Sequence, residues 1–329
     1  MAGVYSRTLC AIAAILATGI AGCAPPPAAP HTIWVSDEQA NVVHVIDGAT
    51  LTEQARLPVG HRPRGLALSP DGKTLYVAVS NEDRIAEIDV KTRTIRGYLA
   101  AGPDPERFAV SPDGKTLYIA NEDDGLASAL DIASNRLVRQ TTVGPEPEGM
   151  AVSPDGKLVI CTSEGASLVH FIDAATGQLQ TSLLVGARPR DARFTPDGSR
   201  LWVTSETRAT VAVFDPASRK ILATIDLQKS SPPPAVQAVS LVMTRAADKV
   251  YVAAGRGDHA AEIDAKTLKV TRWFATGQRT WGVALSPDET RLYGASGLSS
   301  DLAVIDLKSG HTVKTLKLGG RPWGVITTP

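Results

Sequence analysis

The stretch VGPEPEGMAVSPDGK, residues 143–157, contains the two patterns that decide the fold. Its second half holds Ser-Pro-Asp-Gly, a tight turn in which proline fixes φ, aspartate bonds the local backbone and glycine accepts positive φ. This turn begins at Ser69, Ser111, Ser153 and Thr195, each 42 residues after the last, and again at Ser286 after a degenerate copy. A period of about 40–45 residues with short strands is typical of β-propeller blades.

A second column of aspartates confirms this register and gives the number of repeats. Five of the six steps keep the same period, and the longer step between Asp215 and Asp264 contains the insertion QKSSPPPAVQ. The column consists of Asp47, Asp89, Asp131, Asp173, Asp215, Asp264 and Asp306. We expect these carboxylates to accept backbone N–H bonds in the turns that follow them.

Each repeat contains four short strands rich in Val, Ile, Leu and Ala, as expected for strands covered on both faces by neighbouring blades. The first repeat begins at the position of strand two, and the chain ends with GGRPWGVITTP, which matches strand one. The sequence therefore predicts an all-β domain over residues 31–329. This domain is a seven-bladed propeller of four-stranded blades, closed by strands from both termini.

Several repeated or isolated residues are interpreted as structural. An aromatic column in strand two predicts core packing, as does Cys161 in the apolar run LVICTS. The column comprises Trp34, Tyr76, Tyr118, Trp202, Tyr251 and Tyr293, with Ile160 in the remaining blade. His44 and His170 share a column without metal-ligand spacing, so no metal site is predicted there.

The N-terminus reads as a targeting segment. Residues 1–22 carry Arg7 and then an apolar run, which predicts a secretory signal of the lipoprotein type. The motif IAGC resembles the bacterial lipobox, in which Cys23 would be lipidated, and residues 23–30 would form a proline-rich tether. The alternative is ordinary cleavage nearby, with Cys23 incidental. We expect a periplasmic protein that is membrane-anchored only through this lipid.

The first half of the opening stretch predicts the binding site. Strands alternate in direction, so the loops from strand four to strand one share a face, here called the upper face, with the loops from strand two to three. At the two places held by Glu146 and Glu148, the next repeat has Arg188 and Arg190. Across the repeats these positions supply twelve candidate ligand- or partner-binding residues at the mouth of the channel: Arg62, Arg64, Asp104, Glu106, Glu146, Glu148, Arg188, Arg190, Arg279, Trp281, Arg321 and Trp323.

Two interpretations of this charged rim stay open. Neighbouring arginine and glutamate loops could form exposed ion pairs of about 0–1 kcal/mol each, with no ligand. Two tryptophans on polar loops favour binding instead, because exposed aromatic and arginine residues are enriched at binding sites. The strand two-to-three loops add Glu38, Glu122, Glu164 and Glu206 to the same face.

Composition and motifs exclude several function classes. The 34 basic and 34 acidic side chains balance, which argues against a nucleic-acid binder. The sequence contains no Gly-x-Ser-x-Gly elbow, P-loop or haem-attachment motif, so no catalytic residue, metal or cofactor is predicted.

The strand-two segments YVAV, YIAN, WVTS and YVAA resemble the YVTN repeat of bacterial seven-bladed propellers. Longer stretches, such as GPDPERFAVSPDGKTLYIANEDD and GGRPWGV, are similar to propeller proteins associated with PQQ-dependent alcohol catabolism. That resemblance implies an exported protein encoded beside a transport system and periplasmic quinoprotein dehydrogenases, with no family catalytic residues. PQQ enzymes resemble eight-bladed propellers with tryptophan docking motifs, of which only fragments such as DAATGQLQ occur here.

The expected function is a non-enzymatic accessory propeller that supports periplasmic PQQ-dependent alcohol oxidation or its transport system. Its partner would be a quinoprotein dehydrogenase, a transporter component or a small polar ligand, and the chain is expected to be monomeric. Two alternatives remain: a lactonase-like hydrolase that uses channel-mouth carboxylates, and a structural surface scaffold.

Overall fold

A computed structural model describes residues 30–230 and 233–329 of the chain. Within these ranges the backbone forms 28 β-strands and two short 3₁₀ helices, Ser80–Glu82 and Gln228–Ser230. The predicted signal segment, Cys23 and all but the last residue of the predicted tether lie outside the described residues. None of the described helices is long and apolar enough to cross a membrane.

The strands form seven sheets of four, numbered here as blades 1 to 7. Blade 1 contains β28 (Pro322–Thr328), β1 (Thr32–Asp37), β2 (Val42–Asp47) and β3 (Thr52–Pro58). Blades 2 to 4 contain β4 (Pro63–Leu68), β5 (Thr74–Val79), β6 (Arg84–Asp89), β7 (Thr94–Ala100), β8 (Pro105–Val110), β9 (Thr116–Asn121), β10 (Leu126–Asp131), β11 (Arg136–Thr142), β12 (Pro147–Val152), β13 (Leu158–Ser163), β14 (Leu168–Asp173) and β15 (Leu179–Leu184). Blades 5 to 7 contain β16 (Pro189–Phe194), β17 (Leu201–Ser205), β18 (Thr210–Asp215), β19 (Lys220–Asp226), β20 (Leu241–Met243), β21 (Lys249–Ala253), β22 (His259–Asp264), β23 (Lys269–Ala275), β24 (Thr280–Leu285), β25 (Arg291–Ser296), β26 (Asp301–Asp306) and β27 (His311–Lys317).

The ring is closed in blade 1, where strands from the two ends of the chain meet. Strand β28 pairs antiparallel with β1, with Trp34 opposite Ile326 and Val35 opposite Val325. This pairing removes the open edges that a ring of separate sheets would leave. The predicted all-β seven-bladed propeller and its closure by both termini are therefore confirmed.

The hydrophobic core lies between the blades. One cluster joins Trp34 and Val45 of blade 1 to Val77 and Ala86 of blade 2, and equivalent clusters join the other neighbours. All six members of the aromatic column are buried, as is Cys161, whose thiol pKa is raised by burial. The predicted core role of these residues is confirmed.

The repeated aspartates and turns are structural, as predicted. All seven aspartates of the strand-three column accept backbone N–H bonds from the turn that follows, for example from Thr50 to Asp47 and from Ser134 to Asp131. In the Ser-Pro-Asp-Gly turns the aspartate accepts from the serine hydroxyl, as between Ser111 and Asp113 at 2.6 Å. These turns lie on the face opposite the upper face, here called the lower face.

The first strand of each blade is innermost, and together these strands surround a central channel. Neighbouring inner strands approach closely at a column of glycines, because a Cβ on Gly65 would lie 2.5 Å from the Glu106 carbonyl oxygen. A Cβ on Gly149 or Gly282 would likewise lie 2.7 or 2.6 Å, respectively, from a backbone oxygen of the next inner strand. A side chain larger than hydrogen would force these strands apart.

Candidate functional site

The upper end of the channel is organised by a repeated backbone device. The first residue adopts positive φ in five of the six rim pairs, as at Asp104, Glu146 and Arg188, and in all six its carbonyl accepts an N–H bond from a strand two-to-three loop. Glu146, for example, accepts from Glu164, and Arg188 accepts from Glu206. Because of this bond, the glutamates of the strand two-to-three loops lie against the charged pairs of the strand four-to-one loops.

The two members of a rim pair differ in burial. The sequence places both on an exposed rim, but the second member is directed into the channel. Glu106, Glu148, Arg190 and Trp323 are 0%, 3%, 7% and 1% exposed. Most first members keep contact with solvent, as for Glu146 and Arg188, whose side chains are 44% and 42% exposed, whereas Arg279 is buried. The upper end is therefore a packed layer, here called the charged layer, rather than an open mouth.

On one side of the charged layer, Arg190 is the centre of the ion pairing. Its guanidinium lies 3.1 Å from Glu148 and 2.8 Å from Glu164, and it also contacts Glu206. Arg188 pairs with Glu146 at 3.3 Å and contacts Glu164. These pairs join blades 4 and 5.

Arg279 of blade 7 extends this network, because its guanidinium lies 2.7 Å from Glu206. The predicted pairing of neighbouring arginine and glutamate loops is observed, and Arg188–Glu146 is an exposed pair, but the inner pairs such as Arg190–Glu148 are withdrawn from water. Breaking such a pair leaves an uncompensated buried charge, which is strongly destabilising.

A second group of ion pairs joins blades 1, 2 and 3. Arg62 lies 2.6 Å from Asp104 and 2.9 Å from Glu106, while Arg64 lies 3.1 Å from Glu106 and 3.0 Å from Glu38. The alternation of charge between successive repeats thus reflects pairing across blade boundaries. Of the twelve predicted residues, the exposed Arg321 has no ion pair among the residues that the structure describes.

The two tryptophans fill the centre of the layer. Their rings are stacked with centroids 6.4 Å apart, and Trp281 is half-buried while Trp323 is buried. Arg64 and Arg107 lie over the Trp323 ring, and Arg190 and Arg279 lie over the Trp281 ring, at 3.9–5.1 Å from the centroids. The expectation of exposed tryptophans is corrected: Trp323 is buried, Trp281 is half-buried, and both rings pack against guanidinium groups through cation–π contacts.

Burial and charge set the protonation of the layer. Burial, with repulsion from Glu148, raises the pKa of Glu164 to about 8, although Arg190 and Arg188 oppose the shift. Burial and Glu148 likewise raise the pKa of Glu106 well above its ordinary value. Burial also acts to raise the pKa of Glu206, but Arg190 and Arg279 outweigh it and the pKa is lowered. Carboxyl groups of one layer therefore hold protons over different pH ranges.

One group of three carboxylates in the described ranges has the spacing of a cation site. Oxygens of Asp104, Glu106 and Glu122 lie within 4.8 Å of one another. The Arg62 guanidinium contacts all three, at 2.6, 2.9 and 3.9 Å respectively. The group therefore already has its counter-charge, and we assign no metal to it.

Sequence reasoning missed three charged residues that lie deeper in the channel. Arg107 and Asp191 occupy the column that holds Gly65, Gly149, Gly282 and Gly324 in other blades, with Ser240 in blade 6. Arg193 occupies a column that is otherwise Ala67, Ala109, Ala151, Val242, Ala284 and Ile326. The signal was thus present as a break in two uniform columns, both on the inner strands.

Comparison with known proteins agrees with the fold. A family model described as YNCE-like beta-propeller matches residues 3–123, which is less than half of the chain. No curated protein matches the sequence.

Solved structures give wider matches at low identity. Hydrazine synthase of Kuenenia stuttgartiensis is 21% identical with a TM-score of 0.69, over 80% of this chain and 89% of that one. A functionally unknown protein from Desulfotomaculum acetoxidans is 17% identical with a TM-score of 0.76, and the match covers 88% of this chain and 98% of that one. Dihydro-heme d1 dehydrogenase is 17% identical with a TM-score of 0.65, over 89% and 74%. At these identities the likeness concerns the propeller fold alone.

Proposed function

We propose that this protein is a non-enzymatic accessory module that binds a protein partner through its upper face. Following the sequence resemblance, the partner is a periplasmic quinoprotein dehydrogenase of PQQ-dependent alcohol oxidation or a component of its transport system. The buried part of the charged layer does not contact the partner; it holds the loops in place. Because the loops are already held in place, binding loses little conformational entropy at the upper face, which favours affinity.

The observation that carries the proposal is the segregation of charge on this face. Asp123, Asp124 and Glu146 present carboxylates on blades 3 and 4, beside a shallow depression between their loops. Across the ring, Arg208, Arg256 and Arg321 are exposed on blades 5, 6 and 1. Their guanidinium groups form no ion pair within residues 30–230 and 233–329.

A face with separated acidic and basic sides suits a large partner with the complementary arrangement. A small polar ligand fits this face less well, because the tryptophans and the buried ion pairs occupy the centre of the upper face, where such a ligand would enter. The face is therefore assigned to a protein rather than to a metabolite.

The test is to reverse the basic side of the face. In the variant with Arg208, Arg256 and Arg321 changed to Glu, binding to the purified quinoprotein dehydrogenase of the same operon should weaken about tenfold or more, mainly through slower association. A matched variant changes Lys73, Lys115 and Lys157 of the lower-face turns to Glu, which alters net charge equally. Equal weakening in both variants, or no binding by the unchanged chain to the dehydrogenase or transporter components, would overturn the proposal.

A metal-dependent lactone hydrolase is the second candidate, and the three carboxylates near Arg62 are the observation that favours it. A cation at Asp104, Glu106 and Glu122 would have to displace the guanidinium. The assay is lactone hydrolysis by the purified chain with Ca²⁺ or Mn²⁺. Metal-dependent turnover that is lost in Glu106→Gln would replace the accessory proposal. Absence of both turnover and partner binding would leave the structural scaffold.

The proposed location rests on the N-terminal sequence. A lipid on Cys23 would hold the propeller at a membrane facing the periplasm, with residues 23–30 as spacer. Cys23→Ala should move the protein from the membrane fraction to the soluble periplasmic fraction. Unchanged fractionation of this variant would contradict lipidation.

A further inference from the structure

Below the charged layer, the channel widens into a cavity of about 510 Å³ that opens on the lower face. This volume lies in the range of roughly 300–1,000 Å³ that small-molecule sites occupy. Inner strands of blades 1 to 6 supply its walls, which expose somewhat more apolar than polar surface. The apolar part includes Leu66, Phe108, Val110, Met150, Phe194 and Ile326. The charged residues of the wall are Arg107, Asp191, Arg193 and Arg245.

Arg107 is the unusual group of this wall. Its side chain is 14% exposed, yet the structure gives its guanidinium no hydrogen bond within the described part of the chain, and its Nε is buried. The nearest carboxylates, Glu148 and Asp191, are 3.9 and 3.8 Å away, and the Trp323 ring lies on one side. These ion pairs are long and leave the guanidinium donors without a protein hydrogen bond, so the donors are available to an occupant of the cavity.

Arg193 is the second available cation. Its Nε donates to the Leu241 carbonyl at 3.1 Å, which fixes the side chain and leaves the two terminal nitrogens without protein partners among the described residues. Arg245, at the mouth, is already committed to Glu289 and to the Pro287 carbonyl. The wall therefore offers two guanidinium groups to an occupant.

Asp191 does not cancel these charges as a free acceptor would. Its carboxylate oxygens accept the backbone N–H groups of Ala192 and Leu241, each at 3.0 Å. Because these bonds fix the carboxylate in the wall, it balances one of the two positive charges and does not reach across the cavity. Because Glu148 also faces Arg107 at 3.9 Å, Arg193 is the cation of this wall that has no carboxylate partner among the described residues.

We propose that this cavity binds a small organic carboxylate, held at its charged end by Arg107 and Arg193, with its apolar part against the walls. The planar fork of a guanidinium matches a carboxylate in two parallel hydrogen bonds. The apolar walls favour an organic acid over inorganic phosphate, which has the same charge but no surface to bury. This site is separate from the upper face, and it stands whether or not that face binds a protein.

The test measures thermal unfolding and calorimetric binding of the full chain with benzoate and hexanoate as probes. Benzyl alcohol and hexanol serve as uncharged counterparts of the same shape, and inorganic phosphate serves as an anion without an apolar part. The carboxylates should raise the melting temperature and release heat of binding, while the alcohols and phosphate should do so much less. Equal effects of the alcohols, equal effects of phosphate, or no effect of either carboxylate would overturn the proposal.

Variants then locate the site. Arg107→Gln and Arg193→Gln should each weaken carboxylate binding about tenfold or more, the loss expected for a hydrogen bond to a charged group. Arg193 is exposed to the cavity, so its variant should fold normally even if Arg107→Gln is destabilised. Arg136→Gln, at an exposed position on the outer strand β11, is the matched control and should bind as the unchanged chain does. Binding that persists in the Arg193 variant, or that is lost equally in the Arg136 variant, would contradict the assignment.

Discussion

The two ends of the central channel are built from the same seven strands, yet they treat charge in opposite ways. At the upper end, Arg190 and its neighbours each contact carboxylates from an adjacent blade, and the tryptophans seal the centre. At the lower end, Arg107 has only long contacts to carboxylates, at 3.8 and 3.9 Å, and the terminal nitrogens of Arg193 have no protein partner among the described residues. The difference teaches that the number of charges does not identify a binding site; what matters is whether the protein already pairs each charge closely.

The largest effect is expected from removing Arg190, the cation at the centre of the upper ion pairs. Arg190→Ala leaves Glu148, Glu164 and Glu206 close together and buried without their shared cation. The free energy of unfolding should fall by about 3–5 kcal/mol, the cost typical of a broken buried pair. Urea unfolding measures it. Arg208→Ala, on the exposed surface, should change it by less than about 0.5 kcal/mol; similar losses in both would show that the layer is not a coupled unit.

The seal itself is tested by Trp323→Ala. The ring is 1% exposed and stacked on Trp281, so its removal leaves a void between the charged layer and the cavity. A loss of roughly 3 kcal/mol is expected in the same assay, as for other buried aromatic truncations. Trp273→Ala is the comparison variant, since that ring lies on an outer strand and is only partly buried. An equal loss in the outer variant would argue against a tightly packed seal.

Two glutamates of the layer should give stability changes of opposite sign with pH. Glu164 has a raised pKa of about 8 when folded, so its ionisation costs stability as the pH rises from its unfolded value of about 4.3 towards 8. The pKa of Glu206 is lowered, so its contribution is present above the unfolded pKa and is lost as the pH falls through the folded pKa.

The measurement is the unfolding free energy of Glu164→Gln and Glu206→Gln relative to the unchanged chain from about pH 2.5, below the unfolded pKa of glutamate, to about pH 8. Glu164→Gln should become relatively more stable as the pH rises, because it lacks a group that resists ionisation. Glu206→Gln should be most destabilised near neutral pH and less so in acid. Parallel pH profiles of the two variants would refute the assigned shifts.

The smallest effect is expected at the repeated lower-face turns. Asp113→Ala removes a carboxylate that accepts from Ser111 and from the Lys115 backbone on an exposed turn. The free energy of unfolding should fall by less than about 1 kcal/mol. Carboxylate binding in the cavity should stay unchanged, and a large loss of binding would show that the turn shapes the cavity mouth.

Residue chemistry within a single repeat was enough to predict much of the fold. The turn at Ser111, the N–H bonds to Asp131 and the burial of Trp34 follow from residue chemistry repeated at a fixed period, so their outcome could be predicted. The pairing of β28 with β1 could also be predicted, because the first and last repeats are each incomplete and complementary.

The site was harder to predict. Positions such as Glu146 and Arg190 were rightly assigned to the upper end of the channel, but their depth was not. Sequence distance along a repeat does not say whether a long side chain turns outward to water or inward to a neighbour. The candidate residues came from columns that carry a charge in most repeats. Arg107 and Arg193 were missed because each is an isolated charge in a column of mainly glycine or alanine.

The sequence by itself determined the period, the number of blades and the closure, since turn chemistry and strand patterning act within one repeat and recur unchanged. Only the tertiary structure decided which charges are satisfied. That depends on distances across blade boundaries, such as the 3.1 Å between Arg190 and Glu148 and the 3.8 Å between Arg107 and Asp191. The Coulomb energy of a buried pair and the making of a hydrogen bond both change steeply over this interval, and no pattern along the chain encodes it.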